Sequence, residues 1–231
     1  MMLKTGVTVI VVAAGSSRRM GFNKLLEPLA GVPVLRRSLM AFEKCAAIDR
    51  IVVVAGAEVG EVIEKWRMEG GLSKLGAVVA GGVERHDSVA AGLVALGEEC
   101  EVVAVHDGAR PLIHVEQISH CVDMARAHGA AVCARPLSET IKRVDSSGAV
   151  VEAVDREGVW VMETPQVFER ELLERAYVEV MSGGVLVTDE VSAVQRIGVR
   201  VQVVNNAWAN PKITFPGDLA LAECLLEAWS K

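Results

Sequence analysis

The sequence has no cysteine spacing that indicates a disulfide framework or a zinc site. The chain of 231 residues carries five cysteines, Cys45, Cys100, Cys121, Cys133 and Cys224, with no C-x-x-C pair. No histidine stands at a metal-ligand interval from them. Reduced thiols, mostly inside apolar runs, fit this pattern better and are typical of a cytosolic protein.

A long apolar segment is also missing. A membrane-spanning helix needs ~18 or more consecutive apolar residues, and no run reaches that length. The first apolar run ends in a glycine turn followed by arginines, which is not the form of a signal peptide. We therefore expect a soluble, cytoplasmic protein with no membrane partner.

An excess of positive charge is likewise absent, since 24 lysines and arginines stand against 30 acidic residues, for a net charge of −6. This balance argues against a general nucleic-acid surface, so the basic residues matter by position rather than by number. With 51% hydrophobic residues and no repeat or low-complexity linker, we expect one globular domain over residues 1–231.

Short β-branched segments alternate with helical patterns from "VTVIVVAA" near the start to "EVVAVHDGARP" in the middle of the chain. Further helices are predicted over 170–181, 189–198 and Pro216 to Trp229, with a strand over 199–204. Strands that are almost wholly apolar are covered on both faces. The pattern predicts an α/β fold in three layers with a mainly parallel sheet, whose ligands lie beyond the carboxyl ends of the strands.

One segment interrupts the alternation of strands and helices. From Leu137 to Glu152 the sequence "LSETIKRVDSSGAVVE" indicates two short strands around a Ser-Ser-Gly turn. We expect a protruding β-arm at about 137–152 and interpret it as a dimerisation arm.

The loop after the first strand indicates nucleotide binding. Gly15 permits a tight turn, and the small Ala13 and Ala14 leave room for a nucleotide against main-chain amides. The fingerprint G-x-G-x-x-G is not completed, and the Lys-Ser/Thr ending of a phosphate-binding P-loop is absent. Dinucleotide chemistry therefore loses most of its support.

Instead of further glycines, this loop supplies Arg18, Arg19 and Lys24. Fixed cations stabilise the charge that develops when a triphosphate is attacked at its α-phosphorus. Arg19 and Lys24 are our catalytic candidates. The alternative is an ordinary solvated loop, which the position after a glycine turn disfavours.

Two later loops also follow apolar strands. In "GGVERHDSV", Gly82 allows close approach to a base or ribose, and Asp87 or Ser88 can cap the next helix. In "VHDGARP", Asp107 stands at a strand end, where a carboxylate can hold Mg²⁺ beside phosphates. An aspartate there can equally cap its own turn.

Two cations late in the chain could align an anionic second substrate. Arg156 stands in "VDREGVW" and Lys212 in "WANPKITFPGDLALAE". Each can bind a phosphate, and each can equally form a surface ion pair.

These motifs occur together in one family. The ordered series "AAGSSRRM", "GGVERHDSV", "VHDGARP", "ETIKR", "VDREGVW", "ETPQVF", "TDEVSAV" and "NPKITFPGDLALAE" resembles the 2-C-methyl-D-erythritol 4-phosphate cytidylyltransferases of the non-mevalonate isoprenoid pathway. The resemblance implies a Rossmann-like nucleotidyltransferase fold and transfer of CMP from CTP to methylerythritol 4-phosphate. It also implies release of pyrophosphate, Mg²⁺ on the triphosphate, and a homodimer.

The resemblance assigns roles residue by residue. Arg19 and Lys24 match the family's transition-state-stabilising pair, and Arg156 and Lys212 match its sugar-phosphate-positioning pair. The nucleotide contacts match Ala13, Ala14, Gly15, Gly82 and Ser88, and the metal-side aspartate matches Asp107. Positions lining the sugar-phosphate site, some across the dimer interface, match Arg110, Thr140 and Thr188.

Two positions depart from the family pattern. Val83 replaces a residue that is often acidic, and Ala209 stands where an aspartate is common, which bears on how the erythritol hydroxyls are held. Because the chain ends soon after its last predicted helix, we expect the form without a second, cyclodiphosphate-forming domain.

Two rival functions stay open at this stage. A cytidylyltransferase for a pentitol phosphate such as ribitol 5-phosphate would share the nucleotide half and differ near Arg156, Thr188 and Lys212. A regulatory protein that binds CTP without turnover would not need cations directed at the α-phosphate.

Overall fold

The architecture was taken from a computed structural model that describes residues 6–15 and 21–229. Its strands are β1 Gly6–Ala13, β2 Pro28–Leu29, β3 Val32–Pro33, β4 Arg50–Ala55, β5 Leu75–Ala80, β6 Cys100–Asp107, β7 Ala130–Pro136, β8 Ile141–Val144, β9 Val150–Val154, β10 Trp160–Glu169 and β11 Gln202–Asn205. Its helices are α1 Val34–Lys44, α2 Ala57–Glu69, α3 Arg85–Val94, α4 Val115–His128, α5 Arg170–Gly183, α6 Glu190–Arg196 and α7 Pro216–Trp229.

Seven strands form the central sheet, in the order β11-β7-β10-β6-β1-β4-β5. All neighbouring pairs are parallel except those of β10, which runs antiparallel between β6 and β7. The predicted α/β class with a mainly parallel sheet is confirmed. The sequence patterns had not identified α4, β7 or β10.

Both faces of the sheet are covered by helices. In β1, Val7, Val9 and Val11 pack into the cluster that contains α1, α2, α4 and α7. Ile10, which points the other way, packs with residues of α3, α5 and α6. Successive side chains of one strand therefore pack into two separate hydrophobic cores, one on each face of the sheet. This explains why the central strands are apolar throughout. No helix in the described part of the chain is long and apolar enough to cross a membrane.

The predicted arm is a hairpin outside the main sheet. Within residues 6–15 and 21–229, strands β8 and β9 pair only with each other, in antiparallel register. Gly148 lies in the left-handed region at φ +87° in the turn between them. Val144, Val150 and Val151 are more than half exposed on the hairpin, at 51%, 64% and 57%.

Helix α3 lies on the sheet at a glycine. A Cβ on Gly92 would stand 2.6 Å from Cγ2 of Ile10 and 3.1 Å from Cγ2 of Val54. Both neighbours are β-branched residues in central strands, so neither side chain can turn away easily. Gly92 thus sets the distance between α3 and the strands that it covers.

We predict that Gly92→Ala lowers the free energy of unfolding. Overpacking costs about 1–3 kcal/mol, and a contact of 2.6 Å with a β-branched side chain belongs in the upper part of that range. The cost therefore exceeds the helix-propensity gain of about 1 kcal/mol for replacing glycine by alanine. Gly60→Ala in α2 is the matched control, because the one described atom that its Cβ would meet is Cγ1 of Val78, at an ordinary 3.7 Å. Denaturant unfolding followed by circular dichroism measures both variants. Equal or higher stability of Gly92→Ala would contradict the close packing of α3.

Candidate active site

The loops selected from the sequence meet at one edge of the sheet. Strand β1 pairs in parallel with β4 and β6, so Ala13 lies beside Ala55 and Val12 beside Asp107. The amide of Gly81 donates to the carbonyl of Ala55 at 3.2 Å, which brings the loop after β5 to the same edge. Carboxyl ends of parallel strands are where ligands bind in open α/β sheets.

The loop after β5 packs against the end of β1 through its glycines. A Cβ on Gly81 would stand 2.2 Å from the Cβ of Ala14, so only glycine permits this approach. The amide of Gly82 donates to Oγ of Ser88 at 3.1 Å, and that hydroxyl donates to the carbonyl of Glu84 at 3.2 Å. Buried Ser88 therefore fixes the loop from within.

Asp87 proves to be a helix cap. Its carboxylate accepts from the amide of Glu84 at 3.0 Å, and the Glu84 side chain accepts from the backbone of Asp87. This reciprocal capping box holds the start of α3. The sequence allowed Asp87 or Ser88 to cap this helix, and the contacts show Asp87 in the capping box.

A cavity of about 480 Å³ opens beside the end of β1 and is lined by Ala13, Ala14, Gly15, Gly21, Phe22, Asn23 and the first turn of α2. Asn23 Nδ2 donates to Glu58 Oε2 at 2.9 Å, which joins the first loop to α2. The predicted nucleotide residues Ala13, Ala14 and Gly15 thus share one concave surface. Its volume is within the range of small-molecule sites.

Asp107, at the end of β6, is surrounded by cations. Its Oδ2 accepts from Lys212 Nζ at 2.7 Å, its Oδ1 lies 3.3 Å from Arg85 Nε, and Arg110 Nε is 3.8 Å away. Burial opposes ionisation of this carboxyl, but the charges of Arg85 and Lys212 outweigh it and hold the pKa of Asp107 well below its usual range. Asp107 is therefore an anion at neutral pH.

The loop that carries Lys212 is tied to this strand end. Arg110 Nη1 donates to the carbonyl of Asn210 at 2.8 Å, and Asn210 Nδ2 donates to the carbonyl of Thr164 at 3.0 Å. Lys24 Nζ donates to the carbonyl of Ile213 at 2.6 Å. The predicted residues Lys24, Asp107, Arg110 and Lys212 are thus brought into one region.

His106 is buried beneath this cluster. Its Nδ1 lies 3.0 Å from Thr164 Oγ1 and its Nε2 lies 3.1 Å from the carbonyl of Arg110. Burial lowers the pKa of His106 to about 4. The ring is therefore neutral near pH 7.

Sequence reasoning missed Arg85. Its guanidinium forms a two-pronged pair with Glu190, at 2.6 Å and 2.9 Å, and Tyr177 donates to the same carboxylate at 3.0 Å. Burial opposes the charged guanidinium, but Glu190 outweighs it and raises the pKa of Arg85 further. Arg85 and Glu190 stand in the quoted motifs "GGVERHDSV" and "TDEVSAV", yet no spacing rule links them along the chain.

The remaining predicted residues are Arg156 and Thr140 at the hairpin, Thr188 next to α6, and Arg19. Arg19 lies outside the described residues. Arg156 donates to the carbonyl of Ser138 at the base of the hairpin, and Thr140 is exposed just before β8. Thr188 is exposed, two residues before α6, whose cap Asp189 accepts from the amide of Ser192 at 2.9 Å.

The residues fit a metal ion that is carried mainly by substrate phosphates. Mg²⁺ is typically held by one or two carboxylates together with such phosphates. Among residues 6–15 and 21–229 there is no group of three or more His, Cys, Asp or Glu side chains placed to hold a metal. Asp107 already contacts cations through both oxygens, but a carboxylate has about four lone-pair positions. It can therefore supply a single metal ligand, and an all-protein cage is not formed by these residues.

Comparisons with known proteins agree with the motifs. The model of the family described as 2-C-methyl-D-erythritol 4-phosphate cytidylyltransferase matches residues 7–228. A protein of that name from Symbiobacterium thermophilum is 43% identical over 97% of this chain and 94% of its own length. Another from Alkaliphilus metalliredigens is also 43% identical, over 98% of this chain and 95% of its own.

Solved structures give the same result. The 4-diphosphocytidyl-2C-methyl-D-erythritol synthase of Anaerococcus prevotii superposes with a TM-score of 0.86 at 27% identity, over 97% of each chain. The 2-C-methyl-D-erythritol 4-phosphate cytidylyltransferase of Thermus thermophilus gives a TM-score of 0.78 at 30% identity, over 96% of this chain and 99% of that one. The resemblance stated from the motifs is confirmed, and the chain belongs to the 2-C-methyl-D-erythritol 4-phosphate cytidylyltransferase family.

Proposed function

We propose that this chain transfers CMP from CTP to the phosphate of 2-C-methyl-D-erythritol 4-phosphate and releases pyrophosphate. One observation carries the proposal for a chain of this family. Lys24, Arg110 and Lys212 are grouped near Asp107. The same edge of the sheet holds the nucleotide loop with its closely packed glycines.

The chemistry needs positioning and charge rather than a protein nucleophile. A phosphate oxygen of the acceptor attacks the α-phosphorus of CTP in line, the new P–O bond forms, and the bond to the β-phosphate oxygen breaks. The electron pair leaves with pyrophosphate. Lys24 and Arg19 are assigned to stabilise the charge on the α-phosphate in the transition state. Lys24 is held by the carbonyl of Ile213, which limits the volume that its ammonium can occupy.

Nucleotide binding is assigned to the surface between the first loop and the loop after β5. Ala13, Ala14 and Gly15 supply main-chain groups, and Gly82 with Ser88 supplies the opposite side. When bound, Mg²⁺ neutralises part of the triphosphate charge and aligns its oxygens, and Asp107 is the residue that would hold it.

Acceptor binding is assigned to Lys212, Arg110 and Thr188. Arg110 Nε and Asn210 Oδ1 are buried and have no hydrogen-bond partner among the described residues, which is the state expected of polar groups beside a ligand site. Arg156 and Thr140 lie on or next to the hairpin. We assign them to the acceptor site of a second copy, so that the functional form is a homodimer joined through the arm at about 137–152.

The proposal predicts pyrophosphate release from CTP only when Mg²⁺ and methylerythritol 4-phosphate are both present. Lys212→Ala removes the ammonium that contacts Asp107 and is expected to reduce kcat/KM for the acceptor by about a hundredfold or more. Coupled pyrophosphate detection measures both proteins.

Parallel reactions with ribitol 5-phosphate separate the two polyol phosphates. Turnover with ribitol 5-phosphate but not with methylerythritol 4-phosphate would support the cytidylyl transfer and change the proposed acceptor. CTP binding without turnover of either compound would favour a regulatory protein. Lys65→Ala on the exposed surface of α2 serves as a control for loss of a surface lysine and is expected to leave kcat/KM unchanged.

A second prediction concerns the loop glycines. Gly81→Ala is expected to raise KM for CTP by about tenfold or more, because its Cβ would collide with Ala14 and displace the nucleotide surface. Gly217→Ala is the control, since its Cβ would meet no described atom within 4 Å. Steady-state kinetics at varied CTP concentration measure KM for both variants. An unchanged KM for Gly81→Ala would remove this loop from the nucleotide site.

A third prediction tests the shared site. If Arg156 of one copy and Lys212 of the other belong to the same acceptor site, a mixture of Arg156→Ala and Lys212→Ala chains forms heterodimers with one intact site. Random assortment would then restore roughly a quarter of wild-type activity in the whole mixture, and the isolated mixed dimers would have about half. Co-expression with two different affinity tags isolates the mixed dimers for assay.

The matched control combines Lys24→Ala with Lys212→Ala. Both changes lie in the same part of one copy, so every site in that heterodimer is defective and no recovery is expected. Mixed dimers of Arg156→Ala and Lys212→Ala that show no recovery, or a protein that stays monomeric in solution, would contradict the shared site.

A further inference from the structure

Arg85 joins three parts of the candidate site. It is the first residue of α3, directly after the capping residue Glu84 in the loop assigned to the nucleotide. Its Nε lies 3.3 Å from Asp107 Oδ1, and its two terminal nitrogens bind both oxygens of Glu190. One side chain thus contacts an acid at the end of β6 and another at the start of α6.

Glu190 depends on this contact. It is completely buried, at 0% exposure, and its partners are Arg85 and the hydroxyl of Tyr177. A buried carboxylate without a paired cation is strongly unfavourable, so Arg85 and Glu190 hold each other in place. Since Glu190 begins α6 two residues after Thr188, the pair also fixes the segment that carries Thr188.

Asp107 receives its orientation from the same guanidinium. Arg85 contacts Oδ1 of Asp107, and Lys212 donates to its Oδ2 at 2.7 Å. A carboxylate held by one oxygen has less freedom to rotate, so its other oxygen presents a fixed point to Lys212. The ammonium assigned to the acceptor phosphate is therefore positioned through Asp107 by Arg85.

We propose that Arg85 is a positioning residue that sets the geometry between the nucleotide-binding loop and the acceptor-binding residues Lys212 and Thr188. The inference rests on the proposed function and adds to it a specific coupling between its two half-sites. Arg85 itself is assigned no contact with either substrate.

Only a planar, forked cation can make these three contacts together. Arginine presents donors in fixed directions, whereas lysine has a single ammonium at the end of a flexible stem. Arg85→Lys therefore keeps the charge near Asp107 and Glu190 but cannot keep the geometry. The nucleotide loop keeps its own bonds through Ser88 and the Glu84–Asp87 capping box.

The test compares Arg85→Lys with wild type in the pyrophosphate assay, together with CTP binding by calorimetry. We expect kcat/KM for methylerythritol 4-phosphate to fall by about tenfold to a hundredfold, because small misplacements of aligned groups cost rate steeply. The Kd for CTP should stay close to that of wild type, since the loop is held independently of Arg85. Glu190→Gln, which keeps the buried volume, should shift the same kinetic constant in the same direction.

Arg170→Lys is the matched control. Arg170 Nε also pairs with a glutamate, Glu174 at 2.7 Å, and the side chain also binds backbone carbonyls of another segment, but it lies at the opposite end of β6. Its kinetic constants should equal those of wild type. Thermal unfolding of all variants identifies any loss that comes from unfolded protein.

The proposal is overturned if folded Arg85→Lys and Glu190→Gln keep wild-type kcat/KM for the acceptor, or if they lower only the melting temperature. It is also overturned if both variants fail to fold, because Arg85 would then be purely structural. Loss of CTP binding without an acceptor-side change would reassign Arg85 to the nucleotide. A wild-type protein that releases no pyrophosphate would instead refute the proposed function, so the two failures are distinguishable.

Discussion

The arrangement of the site depends on the ionised carboxylate of Asp107. It lies at the end of a central strand, is 8% exposed, and contacts cations from two separate segments, Arg85 and Lys212. The Asp107 side chain is 11% exposed and the Lys212 side chain 40%, so removing Lys212 would leave a largely buried carboxylate with less compensation, which is unfavourable. The position of Lys212 is therefore coupled to strand β6 rather than to its own loop.

A second constraint comes from close packing without side chains. Gly81 lies against Ala14, and Gly92 lies against Ile10 and Val54, so the loop after β5 and the helix that follows it both approach β1 and β4 closely. The candidate nucleotide surface follows from this approach, since main-chain groups become accessible where side chains are smallest. The half of the site around Asp107 is therefore charged, whereas the nucleotide half is lined by small residues and main-chain groups.

Much of this could be predicted from the chain itself. The apolar strands β1, β4, β5 and β6 have a continuous pattern with glycine turns, and each was identified. Strand β7 is rich in alanine and β10 contains Glu163, Thr164 and Pro165, so neither gives a strong strand pattern. Both are strands because their neighbours in the sheet supply hydrogen bonds and burial, which no local window contains.

The candidate site residues show the same difference. Glycine turns, a strand-end aspartate and the family motifs are local features, so Asp107, Lys24, Lys212 and the small residues of the first loop could be selected as candidates from the sequence. Arg85 and Glu190 are 105 positions apart, and their ion pair exists only because α3 and α6 cover the same face of the sheet. Local sequence determined which groups are available, whereas the fold decided which charges share a buried space, because a low-dielectric interior makes their pairing obligatory.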